Sequence, residues 1–201
     1  TTLGRQELYA EVVDNVEGAL WQNSLIEETR LNAGEERELT QILVAVDPAV
    51  TADANSDETG IIVVGKDANN EYYVLEDQSG KYSADKWAKV AINLFYEWEA
   101  DKIVAEVNNG GDLVERLIKS IDPNVIYRKV VATRGKMVRA EPVAALYESE
   151  QVFHAGKFSE LEEQMIFYNG SGNISPDRLD ALVWAITELS QVSGSPVYRI
   201  S

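Results

Sequence analysis

The sequence predicts an α/β domain built on a central mixed sheet of five strands or more, ordered 3-2-1-4-5, with helices on both faces. Two patterns predict it. Three short runs rich in β-branched and aromatic residues follow one another with only turn residues between them, and further along the chain helical and strand periodicities alternate. Size agrees, because 201 residues with 45% hydrophobic content can build one substantial core.

Residues 1–40 differ in character from the rest. Leu3–Val13 reads as a short helix, with Leu8 and Val12 one turn apart, and Leu31–Thr40 as a Glu-rich connector. Strands are expected at Gln41–Asp47 (QILVAVD), Gly60–Lys66 (GIIVVGK) and Glu71–Asp77 (EYYVLED), forming an antiparallel meander. A long helix follows with Ser83 as N-cap, because Trp87, Val90, Ala91, Leu94, Phe95 and Trp98 recur at helical spacing. Lys102–Val107 (KIVAEV) is the fourth strand. After Gly110 and Gly111 comes a helix with Leu113, Val114, Leu117 and Ile118 on one face, and Val125–Val131 (VIYRKVV) is the fifth strand. The remainder is mostly helical and ends in a helix from Pro176 to Gln191, with Ser175 as N-cap and Pro176 in the first turn. Right-handed crossovers put the fourth and fifth strands beside the first, away from the second. That order is the ribonuclease H-like arrangement.

Four acids stand out against this layout. Asp47 closes the first strand after LVAV, and Glu106 lies near the end of the neighbouring fourth strand, so both emerge at one sheet edge. Asp177 and Asp180, at i and i+3, share a face of the last helix. Taken singly, an acid ending a strand reads as a turn former and one starting a helix as a dipole partner. Together, like charges in apolar contexts are costly, and a hard divalent cation with oxygen ligands resolves the cost. Two ions roughly 3.5–4 Å apart can activate a water and stabilise the leaving oxygen of a phosphodiester.

Charge and composition narrow the classes. Zero cysteine excludes a disulfide scaffold, a thiolate zinc site and a cysteine nucleophile. No apolar run approaches the roughly 18–20 residues of a membrane span, and the N-terminus does not read as a signal peptide. With 18 basic against 34 acidic residues, a net charge of −16 argues against capturing DNA by the overall field. The cations are nevertheless clustered. No acid occurs between Pro123 and Ala140, where Arg128, Lys129, Arg134, Lys136 and Arg139 all fall. TRGKMVR is expected as a loop or hairpin tip, and Lys129, Arg134, Lys136 and Arg139 are the candidate phosphate contacts. Arg178 either reaches phosphate or pairs with a nearby acid. His154 reads as structural, Trp87, Trp98 and Trp184 as core, and Glu160–Gln164 as a solvated helix face. Gly60–Lys66 matches GxxxxGK, but Asp67 replaces the required hydroxyl and IIVV is strand-like, so it is not a nucleotide site.

With LGRQELYAEV, VAVDPAVTADANSDETG, YYVLEDQSGKYSADKWA, KIVAEVNNGGDLVE, TRGKMVRAEPVAALYE and SPDRLDALVWAITEL in this order, the chain resembles the nuclease domain of large terminase subunits. These are the DNA-packaging motors of tailed phages and gene-transfer agents. The resemblance implies a metal-dependent endonuclease with Asp47, Glu106, Asp177 and Asp180 as catalytic and metal-binding residues, holding Mg²⁺ or Mn²⁺, two ions, with Asp57 as a further candidate ligand. Asp53 and Glu58 read as loop polar residues, and Asp77 as a turn former or, alternatively, a residue supporting the metal ligands from behind. It implies concatemeric double-stranded DNA as substrate, cut with little sequence specificity. The implied partners are an ATPase motor domain of the same protein, portal and small terminase subunit, in the host cytoplasm and not at a membrane. Residues 1–40 are then the helix and connector to the motor, and 41–201 the nuclease domain. Rival readings are a Holliday-junction resolvase-like nuclease, an actin-like nucleotide-binding domain, and a non-catalytic docking module.

Overall fold

The computed structural model describes residues 18–49, 58–107, 111–170, 176–191 and 198–200, with backbone alone for 111–112 and 198–200. The helix expected at Leu3–Val13, and Asp53, Asp57, Asn108, Gly110 and Ser175, lie outside these residues. In chain order the elements are α1 (Asn23–Glu28), β1 (Arg37–Asp47), β2 (Gly60–Asp67), β3 (Tyr72–Asp77), α2 (Ala84–Glu97), β4 (Lys102–Glu106) and α3 (Gly111–Ile121). There follow β5 (Tyr127–Val130), α4 (Lys136–Glu148), β6 (Val152–His154), α5 (Ser159–Phe167), α6 (Asp177–Ser190) and β7 (Tyr198–Ile200).

The sheet runs β5-β4-β1-β2-β3-β6, with β7 on the start of β1. Read from β3, the first five strands follow the expected 3-2-1-4-5. β1, β2 and β3 pair antiparallel, while β4 lies parallel to β1 and β5 parallel to β4. β6 and β7, at three residues each, are too short to show a period in the sequence. β1 begins at Arg37 rather than Gln41, because β7 pairs with Arg37–Leu39 beyond the reach of β4.

Alternation along the central strands divides the core into two layers. Leu43, Ala45, Ile62, Val64 and Val104 face α6, which is backed by α4, α5 and α1. Ile42, Val44, Val46, Ile61, Val63, Ile103 and Ala105 face α2 and α3. β2 is buried along its whole length, and α6 is buried on nearly every side from Asp177 to Leu189. Each fully buried aliphatic side chain here contributes about 1.5–3 kcal/mol, so α6 is an internal element and not a surface helix. Part of the expected connector also joins this layer, since Trp21 and Ile26 are 2% and 0% exposed and sit in the α6-side core.

TRGKMVR is not a hairpin tip. α4 starts at Lys136 with Gly135 at its N-cap position, so Lys136 and Arg139 occupy its first turns. Gly135 and the internal Pro142 masked the helical signal.

Candidate functional site

The strand pleat decides where the acids point. Continuing the Leu43–Ala45 alternation puts Asp47 on the α6 side, and continuing from Val104 puts Glu106 there too. Val46 is in register with Ala105, so the next residues, Asp47 and Glu106, close adjacent parallel strands. Asp47 also lies opposite Gly60 on β2. Above Gly60 passes the first turn of α6, and a Cβ at that position would lie 2.0 Å from the Asp177 carbonyl oxygen. Only glycine admits so close a backbone approach, and it brings Asp177 and Asp180 down onto the strand ends.

The four carboxylates sense one another. Burial, then Asp180, Glu106 and Asp177, push the Asp47 pKa up to about 8, against a partial opposing pull from Lys136. Asp180 is also raised, first by burial, although Lys136 and Arg139 oppose the shift. The Lys136 ammonium pairs with Asp180. Burial would lower its pKa, but Asp180, Asp47 and Asp177 outweigh that and raise it. Arg139 lies over the Trp184 ring, 4.5 Å from its centroid, with Nη1 3.4 Å from Glu106 Oε2. The Trp184 indole N–H donates to the same oxygen at 2.5 Å.

Lys136 and Arg139, expected to face phosphates, are thus turned into the acid cluster. Lys129 and Arg134 are exposed, and Arg128 pairs with Glu188 at 2.7 Å. Of the two readings of Arg178, the acid partner holds. It is buried and bound to Glu58 and Asp77, which makes those two acids more than loop and turn residues. Glu162, inside the stretch read as a solvated face, is buried against Arg30 and His154. His154 is fully buried and Trp87 and Trp184 are core, while Trp98 is partly exposed with its N–H 2.6 Å from Glu76. The place of Trp184 beside Glu106 is not among the sequence expectations. Its signal was present, since residues 177, 180 and 184 share one helix face.

The donors suit a hard divalent cation, being carboxylate oxygens with more negative charge than their basic neighbours neutralise. Among the described residues no three His, Asp or Glu side chains are already grouped as a metal shell. A cation entering beside Asp180 competes with Lys136 for that carboxylate.

A family model described as the terminase RNaseH-like domain matches residues 44–189. The nuclease domain of the large terminase subunit gp2 of bacterial virus Sf6 matches with TM-score 0.64 and 14% identity, covering 84% of this chain and 98% of that one. The human cytomegalovirus terminase nuclease domain, Mn-soaked and inhibitor-bound, matches with TM-score 0.62 and 16% identity over 85% of this chain and 95% of that one. The large terminase nuclease from thermophilic phage G20c with bound magnesium gives 0.60 and 12% over 87% and 99%. No curated protein sequence matches the chain. At these identities the solved structures speak for the fold.

Proposed function

The chain belongs to the terminase RNase H-like family, and on that premise we propose that it is a metal-dependent endonuclease of a viral DNA-packaging motor. It would cut concatemeric double-stranded DNA with little sequence specificity. The observation that carries this reading is that Asp47 and Glu106 close adjacent strands beside the first turn of α6, which carries Asp177 and Asp180, so that all three other acids raise the Asp47 pKa.

In this reading the four acids hold Mg²⁺ or Mn²⁺, two ions, with Asp57 as a further candidate ligand. Divalent ions there supply the Lewis acidity and water activation for phosphodiester hydrolysis by a two-metal mechanism. The chain's residues hold and orient. Trp184 fixes Glu106 through Oε2, and Lys136 balances Asp180 until a cation arrives. Exposed Lys129 and Arg134 contact phosphates and set the duplex without reading bases. An ATPase motor domain of the same protein, portal and small terminase subunit complete the machine in the host cytoplasm. The magnesium- and manganese-bearing relatives support the choice of ions.

The test is cleavage of linear duplex, plasmid and four-way junction DNA with Mn²⁺ or Mg²⁺, and with EDTA. Metal-dependent cutting of all three supports the proposal. Cutting confined to the junction would make the chain a resolvase, and no cutting by well-folded protein would overturn the nuclease reading.

A further inference from the structure

The first turn of α6 carries two of the four acids, and side chains from outside the helix fix its place. Pro176 stands at the N-cap position, where no side chain caps the helix locally. Gln164 of α5 supplies that cap from across the fold, its Oε1 accepting the backbone N–H groups of Arg178 and Leu179 at 3.0 and 3.2 Å. The Arg178 side chain is tied to acids on other elements. Its Nε and Nη2 fork to the two oxygens of Glu58 at 3.0 and 2.8 Å, and its Nη1 reaches Asp77 Oδ2 at 2.7 Å. Nη2 also pairs with Glu160 of α5. Glu58 lies just before β2 and Asp77 ends β3, so one guanidinium ties α6 to two strand ends and to α5.

We propose that Arg178, assisted by Gln164, is a positioning residue for the metal centre, locking the α6 first turn to the ends of β2 and β3 and so setting where Asp177 and Asp180 stand. Two observations separate this role from simpler ones. Its side chain is 7% exposed and shared among three acids, which leaves little of it for a DNA phosphate. A buried ion pair is also a poor source of net stability, since apolar packing of similar volume does as well, so its distinctive product is geometry. The fork matters too. Lysine in place of arginine keeps the charge but cannot hold Glu58 through two bonds and Asp77 at once.

This inference rests on reading the acids as a metal centre, and its test separates the two. Arg178→Lys and Glu58→Gln are compared with wild type in three measurements: hydrogen exchange of metal-free protein, Mn²⁺ affinity by calorimetry, and kcat and KM on duplex DNA. In Arg178→Lys the amides of residues 178–180 exchange faster while those of β1 and α2 keep their protection. Mn²⁺ affinity and kcat fall by about 10- to 100-fold, as for other residues that orient metal ligands, and KM is unchanged. Glu58→Gln moves the same readouts less. Unchanged first-turn exchange, or faster exchange throughout the protein with Mn²⁺ affinity intact, overturns the positioning role. A raised KM with a shallower salt dependence of DNA binding makes Arg178 a phosphate contact instead. If Arg178→Lys does not fold, Glu58→Gln and Gln164→Ala carry the same readouts. Absence of Mn²⁺ binding by wild type defeats the nuclease reading alone, because exchange in the metal-free protein still decides whether Arg178 holds the turn.

Discussion

Two regions of this molecule bury carboxylates and treat them in opposite ways. Around Glu162 the charge is met on every side. Arg30 donates through Nη1 and Nη2 at 2.8 and 3.1 Å, His154 Nδ1 lies at 3.0 Å, and the Phe158 N–H donates at 3.1 Å. Tyr147 Oη, 2.9 Å from His154 Nε2, fixes the far side of the imidazole. Burial alone would raise the Glu162 pKa, but these partners bring it down to about 2. At the ends of β1 and β4 the balance is reversed, and Asp47 is pushed up to about 8 by burial and by other acids. Both regions suffer desolvation, so the difference is compensation. The fold satisfies one buried carboxylate fully and leaves Asp47 among other acids short of positive charge, which is where the proposed function would seat a cation.

The sharpest way to break the contrast is to neutralise one acid of the uncompensated group. Asp47→Asn should abolish Mn²⁺-dependent plasmid degradation. It should also raise the melting temperature of the metal-free protein near neutral pH, because it keeps the shape and removes a group that must either take up a proton on folding or stand charged among other acids. Scanning calorimetry in EDTA beside the cleavage assay checks both. A metal-free variant less stable than wild type would mean that the Asp47 charge is already compensated.

The same operation on the other region should have the opposite sign. Glu162→Ala leaves the buried His154 Nδ1 without its acceptor and half-buried Arg30 with Glu27 as its remaining acid, and breaking a buried pair from one side costs up to about 3–5 kcal/mol. Urea unfolding should show that loss, while Mn²⁺ affinity of the folded fraction stays at the wild-type value. Coupled loss of metal affinity would show that the two regions are one network.

Acidity separates the regions without mutation. Asp47 and Asp180 are raised in the folded state, so the proton-bound fold is favoured and stability falls as pH rises from the unfolded value of 3.8 towards about 8. Glu162 is depressed, so its contribution is present above the ordinary 4.5 and is lost as pH falls towards about 2. Burial also lowers His154, which costs stability below the ordinary 6.5, where the unfolded chain takes up a proton that the fold resists. Metal-free protein should therefore lose melting temperature on both the acid and the alkaline limb. Mg²⁺ or Mn²⁺ should restore the alkaline limb alone, by an increment that grows with pH. An increment independent of pH between 5 and 8 would detach metal binding from these carboxylates.

What could be read in advance follows the same division between local and tertiary causes. Asp47 and Glu106 were legible because a two-residue period carries the α6-facing set Leu43, Ala45 and Val104 straight into them. Asp177 and Asp180 were legible because helical spacing fixes a shared face. Lys136 and Arg139 were visible as cations, but whether they faced solvent or the acids depended on where α4 starts, and Gly135 and Pro142 hid that start. Glu58, Asp77 and Gln164 offered no local signal, since each matters only through a partner between 14 and 120 positions away.

The finest distinction lies within the uncompensated group itself, where Glu106 accepts a hydrogen bond from a buried neutral donor, the Trp184 indole at 2.5 Å. Trp184→Phe keeps an aromatic ring beneath Arg139 and removes the indole N–H together with a few ring atoms. A net hydrogen bond of this kind is worth about 1 kcal/mol and one to a charged group somewhat more, so the nuclease rate at limiting Mn²⁺ should fall about tenfold. The loss should shrink as Mn²⁺ is raised, because what is lost is the orientation of a ligand that bound metal can itself restore. Global stability should fall only modestly, since the smaller phenyl ring still fills most of that place between α4 and β4. A loss that persists at saturating Mn²⁺ would instead assign the indole N–H to the chemical step, and an unchanged metal dependence would leave Trp184 with packing as its whole role.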